Sequence, residues 1–460
     1  MLAWYLVPEE FGLVAIAMSI ATFTGLLQFG GAREFLIQRG QGARRWLPIA
    51  KGYCLFLGGI SLILSAGIAH LLTDVYAEPS LVSITLIQAV ANALNSYGLV
   101  LGVRFQVEMR YGVLVGSGAL YSVVSAVASI IFASLGLGAG SIPLALCFAA
   151  LSRALVFATL GHKTRLHWRY THWKYFFQTS AYTFGASICG AVPTHLAATI
   201  LGLAASTAQA GLYFFSYNLS AQILQLLAVN IGQILFPALS NIRSSGGDHA
   251  LFYKRVVSIM AFVSTPFCVI QAALSGLLVQ YLFDENWADS KSIILVLSLG
   301  MVPQSISLAY ASRMQSLQQW KMLFWTSLIN SCAFVVVFSL GAKISGALGA
   351  ACAATALAWC ISPFNMLKTI GRKPGELRWL INLYLRPALI VLAMLCAHRL
   401  IGFGSSRLSF GTPVQKEIFG ACVIVVTILI STGLLYRAEM RFLIRIIRER
   451  SIRILESFPL

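Results

Sequence analysis

The chain has 460 residues, of which 58% are hydrophobic and only 10% charged, at a mean hydropathy of +0.80. So little charge cannot cover a water-soluble surface, which excludes a soluble fold; the same numbers exclude a disordered chain, and apolar runs that recur from end to end exclude a soluble enzyme on a single anchor. A formal charge of +18 raises nucleic-acid binding as a possibility that only the placement of the charge can decide.

In chain order, residues 1–7 carry no basic region and meet Pro8-Glu9-Glu10 at once. They read as the end of a first helix whose beginning is absent, and not as a signal peptide. A helix needs about 20 residues at ~1.5 Å each to cross a ~30 Å hydrocarbon core. On that measure thirteen full spans follow, near 11–32, 52–73, 81–102, 112–134, 142–161, 179–202, 211–236, 256–280, 292–311, 322–342, 346–367, 380–401 and 418–436. With the loop at 33–51 in the cytoplasm, 27 of the 33 Lys and Arg fall on that side. Five (Lys291, Lys343, Arg399, Arg407, Lys416) fall outside, and Arg153 lies within a span. This asymmetry is the positive-inside pattern. It places both termini in the cytoplasm, accounts for the charge as a topology and lipid-surface effect, and leaves nucleic-acid binding without support. The basic tail from Arg437 to Leu460 reads as a helix lying on anionic lipid.

Phe11-Gly12-Leu13 at the start of one span is matched by Ala210-Gly211-Leu212, 199 residues on. Arg104 and Arg110 ahead of the Gly136–Gly140 turn are answered by Arg313 and Lys321 ahead of Gly341–Gly346. Two similar halves in one orientation are the kind of repeat that puts a substrate path between lobes. The expected fold class is an all-α polytopic membrane protein of two pseudo-symmetric six-helix lobes, with two C-terminal helices and a truncated first helix. The expected domains are 1–170 (N-terminal lobe), 171–370 (C-terminal lobe) and 371–460 (helices 13 and 14 with the basic tail).

All fifteen acidic residues fall in predicted loops or interfaces, so no carboxylate is expected at membrane depth. That is poor equipment for an ion-coupled exporter of cations. No Ser/His/Asp, HExxH or paired-carboxylate constellation is present, which argues against an intramembrane hydrolase. The nine cysteines lie in apolar runs without CxxC or metal-ligand spacing, and are expected as small buried residues with no disulfide or zinc. No catalytic residue, metal or cofactor is expected.

Basic and neutral-polar groups remain at depth. Arg153 costs about 2.5–3.5 kcal/mol to insert, so it needs a wet cavity or a polar partner: an anion such as a lipid diphosphate, or helix-end carbonyls. His195, two residues after Pro193, is either a proton sensor or a hydrogen-bonded packing element. Asn218, Gln222 and Gln225 stand at i, i+4 and i+7, with Gln233 near the same arc, and form a polar stripe. Amides both donate and accept, so the stripe suits a hydroxyl-rich ligand; it equally suits helix–helix adhesion.

Leu6-Val-Pro-Glu-Glu-Phe-Gly-Leu13, Leu36-Ile-Gln-Arg39, Gly211-Leu-Tyr213, Phe236-Pro-Ala-Leu-Ser240, Asn286-Trp287 and Gly346-Ala-Leu-Gly-Ala350 occur in an order that resembles the polysaccharide-transporter branch of the multidrug/oligosaccharidyl-lipid/polysaccharide (MOP) flippase superfamily, O-antigen flippases and lipopolysaccharide exporters among them. The resemblance implies two six-helix lobes around a central cavity. It also implies a bacterial inner-membrane protein that flips a polyprenyl-diphosphate-linked oligosaccharide by alternating access. Its partners would be the lipid-linked oligosaccharide, membrane lipids and the polysaccharide polymerase machinery. A MATE-like exporter of drugs or lipid precursors is the first alternative, and a membrane glycosyltransferase or ligase the second. Ala197 and Ala198 stand where relatives often carry an acid before the glycine at Gly202, and Gln28 where an Asp often precedes the glycine at Gly30. Both departures weaken the case for ion coupling.

Overall fold

The computed structural model describes residues 7–28, 43–76, 78–107, 110–160, 173–224, 248–370, 374–404 and 413–442, together with Ala32, Leu36, Leu235, Leu239 and Ile242. Every regular element among them is helical. In chain order they are α1 (Pro8–Gly25), α2 (Ala43–Tyr76), α3 (Ser80–Val107), α4 (Tyr111–Ser134), α5 (Ser141–Leu160), α6 (Trp173–Ala191), α7 (Ala197–Ala204), α8 (Thr207–Leu224), α9 (His249–Leu282), α10 (Ser290–Ser316), α11 (Trp320–Thr369), α12 (Pro374–Gly404) and α13 (Pro413–Leu435).

Among the described residues ten helices are long and apolar enough to cross a membrane. Their outer faces carry large bare side chains such as Ile63, Leu71, Val115 and Ile344. Water would penalise those faces, whereas hydrocarbon solvates them, provided the backbone bonds itself as a helix does. The protein is therefore a multi-pass membrane protein. Five cysteines, Cys332, Cys352, Cys360, Cys396 and Cys422, are exposed rather than buried. The expectation of burial fails for them because a small apolar group is as well placed in lipid as in a core.

The helix ends carry the local signals that the sequence offers. Pro8 opens α1 and Glu10 accepts the Val7 N–H at 3.3 Å, while Asp248 Oδ1 caps α9 by accepting from Ala250 and Leu251 at 3.0 and 2.9 Å. Gly136 and Gly138, with φ of +79° and +50°, turn the chain from α4 into α5, and Gly346, at φ +57°, kinks α11. The two turns occupy matching places. The run of 34-, 28- and 24-residue helices before the first is echoed by 34- and 27-residue helices before the second.

The chain forms two compact units. In the first (1–215, 283–287 and 320–353), α3 packs on α1, α2 and α5, and α4 packs on α5. In the second (216–282, 288–319 and 354–460), α9 is the hub, lying against α10, α12 and α13.

Candidate functional site

Arg153 lies well inside α5, some 18 Å from its start at ~1.5 Å per residue. Its guanidinium carbon sits 4.3 Å from the ring centroid of Tyr121 on α4, so an aromatic face serves where carbonyls or a carboxylate might have stood. Its Nε is buried without a hydrogen-bond partner. The ring supports the charge but accepts none of its in-plane donors, which leaves the guanidinium edge able to meet an anion.

His195 lies on a π-helical turn, Val192–Leu196, between α6 and α7. Pro193 has no N–H to give the carbonyl four residues back, and the Ser331 hydroxyl on α11 donates to that Cys189 carbonyl instead. Beyond the turn, Tyr76 Oη donates to the Thr199 carbonyl at 3.0 Å. The broken helix is thus held by side chains of α2 and α11, with half-buried His195 on it and the turn itself packed on α1.

Of the predicted amide stripe, Asn218 and Gln222 are exposed on α8, one helical turn apart. Gln225 and Gln233 lie outside the described residues. Arg153 and His195 belong to the first unit, and Asn218 and Gln222 to the second.

A second amide row, absent from the sequence reading, runs along α3. Gln88, Asn92 and Asn95 repeat the i, i+4, i+7 spacing. Gln88 Nε2 donates to Asn92 Oδ1 at 3.0 Å, Asn92 Nδ2 reaches Thr22 Oγ1 at 3.4 Å, and Gln28 Nε2 donates to Ser61 Oγ at 3.2 Å. Thr24 and Ser65 hydroxyls meet at 2.6 Å beside them. The acceptor oxygens Gln28 Oε1, Gln88 Oε1 and Asn95 Oδ1 are buried with no hydrogen-bond partner. This is a polar face with spare acceptors, the complement of a donor-rich ligand.

Arg313 is a second cation held within a helix, where a loop was expected. The predicted span ended at 311, but α10 continues to Ser316, so Arg313 is helical and 9% exposed, its guanidinium 4.4 Å from the Tyr253 ring centroid.

Four of the motifs, those around Gly12, Gly211, Trp287 and Gly346, meet within the first unit. A Cβ on Gly12 would lie 2.0 Å from the Thr207 carbonyl oxygen, and one on Gly211 1.9 Å from that of Pro8. The starts of α1 and α8 therefore touch backbone to backbone. Beside them Trp287 is fully buried, with ring centroids 5.1 Å from Phe11 and 4.3 Å from Phe215. Gln209 Oε1 accepts the Ala347 N–H at 2.8 Å, just past the Gly346 kink. Motifs as far apart in sequence as residues 11, 211, 287 and 346 thus form one closed, aromatic-capped junction.

Described acidic residues stand near the ends of helices or in the segments between them. Among the described residues no group of three or more His, Cys, Asp or Glu could hold a metal ion.

The fold is that of MOP-superfamily transporters. The chain is similar to the inward closed conformation of the lipid II flippase MurJ, with a TM-score of 0.69 and 14% identity over 94% of each chain. It is also similar to an inward-facing multidrug resistance MATE family transporter, with a TM-score of 0.62 and 12% identity over 80% of this chain and 92% of that one. The family described as polysaccharide biosynthesis protein matches residues 1–292, and the chain belongs to it. Within curated sequences, lipopolysaccharide biosynthesis protein WzxC of Escherichia coli (strain K12) is 20% identical over 347 residues, 74% of this chain and 70% of that protein.

Proposed function

We propose that the protein is a flippase that moves a polyprenyl-diphosphate-linked oligosaccharide, an O-antigen or exopolysaccharide unit, across the bacterial inner membrane by alternating access. The observation that carries this reading is membership of a polysaccharide-biosynthesis family in a chain whose fold follows a lipid II flippase over nearly its whole length. Transport without a catalytic step fits the family and the relatives' names.

In this reading residues 1–170 and 171–370 act as lobes, 371–460 as an appendage, and both termini face the cytoplasm. Arg153 meets the diphosphate. Asn218, Gln222, Gln225 and Gln233, with the α3 amide row, meet sugar hydroxyls, and His195 lines the path on its broken helix. The Gly12–Gly211 junction closes the periplasmic end while the cytoplasmic side loads. The polysaccharide polymerase machinery receives the product.

Deletion of the gene tests the reading. Undecaprenyl-linked glycan should accumulate on the cytoplasmic leaflet and return to normal on complementation. Extrusion of ethidium with no glycan defect would assign the protein to drug export, and glycan joined to an acceptor by the purified protein would make it an enzyme.

A further inference from the structure

In the second unit, the first turns of α9 and α12 and the segment after α13 line an open cavity of about 370 Å³. Leu251, Ile259, Trp379 and Phe442 make its walls largely apolar, and Lys254, Arg255 and Glu439 supply its charge. Ion pairs brace it on two sides, Lys254 with Glu376 and Arg386 with Glu439, each at 2.8 Å. The Trp379 indole donates to Ser258 Oγ at 3.2 Å. Nearby Asp248 is turned onto the backbone of its own helix.

Among the described residues lining the cavity, Arg255 is the cation without a carboxylate partner. It is exposed, and its guanidinium lies 5.7 Å from the Phe442 ring centroid. Arg378, Arg437 and Arg441 are exposed on the same segments. A cavity of this size is too large for an inorganic phosphate alone and is within the range of small-molecule sites. Its apolar walls call for hydrocarbon, and its guanidinium calls for an anion.

We infer that this cavity binds the phosphate headgroup of a membrane lipid, with Arg255 on the phosphate and Trp379 and Phe442 flanking the glycerol and upper acyl chain. The site shares no residue with Arg153 or the amide rows, and a bound lipid there ties α12 and the segment after α13 to α9.

Purified full-length protein in neutral detergent is titrated with phosphatidylglycerol carrying brominated acyl chains, and the Trp379 signal is isolated by difference from Trp379→Phe. Saturable quenching is expected, about tenfold weaker in Arg255→Ala and largely kept in Arg255→Lys. Equal quenching by brominated diacylglycerol, which has no phosphate, or wild-type affinity in Arg255→Ala, overturns the assignment. Competition separates two sources of the same chemistry. If undecaprenyl diphosphate displaces the probe at lower concentration than unlabelled phosphatidylglycerol, the site serves the glycan carrier; the reverse order gives it to the bilayer phospholipid. Binding measured this way stands or falls independently of any glycan defect in the deletion strain.

Discussion

A guanidinium inside a transmembrane helix is tolerated only where something offsets its loss of water, and for Arg153 the face of Tyr121 does so. Because the ring leaves Nε unbonded, replacing the cation should affect transport more than folding. Arg153→Ala is expected to lower surface polysaccharide roughly tenfold, the effect of one lost charge-assisted contact, at unchanged protein abundance on an immunoblot. Unaltered surface polysaccharide removes Arg153 from the path. Tyr121→Leu withdraws the ring and should instead lower abundance and thermal stability, by about 1–2 kcal/mol. Arg153 was legible in sequence because it is the single basic residue left over when the loops are assigned. Arg313 was not, since its burial depends on α10 running on to Ser316, and helix ends are the least readable feature of a sequence. The row Gln88, Asn92, Asn95 was within reach. It has the spacing that drew attention to Asn218, Gln222 and Gln225, and a systematic search for that period along every span would have found it.

Between elements, close packing is controlled by the residues that lack a side chain. At Gly12 and Gly211 a Cβ would overlap a carbonyl of the facing helix, so no rotamer adjustment can absorb a larger residue. Gly12→Val and Gly211→Val are each expected to force α1 and α8 apart and abolish transport. Their effect should read out as increased labelling, by a membrane-impermeant thiol reagent, of a cysteine placed at Asn286 beside the junction. Labelling equal to that of the unsubstituted background would mean that the junction does not gate. At the α6–α7 break, Ser331→Ala should leave the Cys189 carbonyl unpaired, a cost of about 1–3 kcal/mol for a buried acceptor, seen as a lower melting temperature of the detergent-purified protein; an unchanged melting temperature would show that another donor takes over. The repeat of Phe-Gly-Leu and Ala-Gly-Leu was visible in the sequence, whereas the break at Pro193 was not, since a single span was expected over 179–202. That the two repeated glycines face one another was not, because sequence periodicity reports which face of a helix is apolar and not which helix lies across from it.

For the molecule as a whole, fold class followed from physical rules that act locally: a ~30 Å apolar slab sets helix length, and the cost of moving basic residues across it sets the side expected for each loop. Thirteen full spans were expected, and ten helices among the described residues are long and apolar enough to cross. Those rules made an all-helical membrane fold readable from the sequence, and the transporter class came from the resemblance of its motifs to a known family. The pairing of α3 with α1, α2 and α5, and of α9 with α10, α12 and α13, lay beyond them, since it depends on the shapes of whole helix faces. Orientation is where the same rules make their sharpest claim, because 27 of 33 basic residues share one side only if every intervening span crosses. Alkaline phosphatase fused after Gly136, in the α4–α5 turn, should be active, as that enzyme is in the periplasm, whereas the fusion after Gln318, between α10 and α11, should be inactive but fluorescent when green fluorescent protein replaces the phosphatase. Five expected spans, from 142–161 to 292–311, separate the two sites, so a single missed crossing would put both reporters on one side. Matching activity at the two positions would therefore refute the assigned alternation, and with it the placement of the Gly12–Gly211 junction at the periplasmic end.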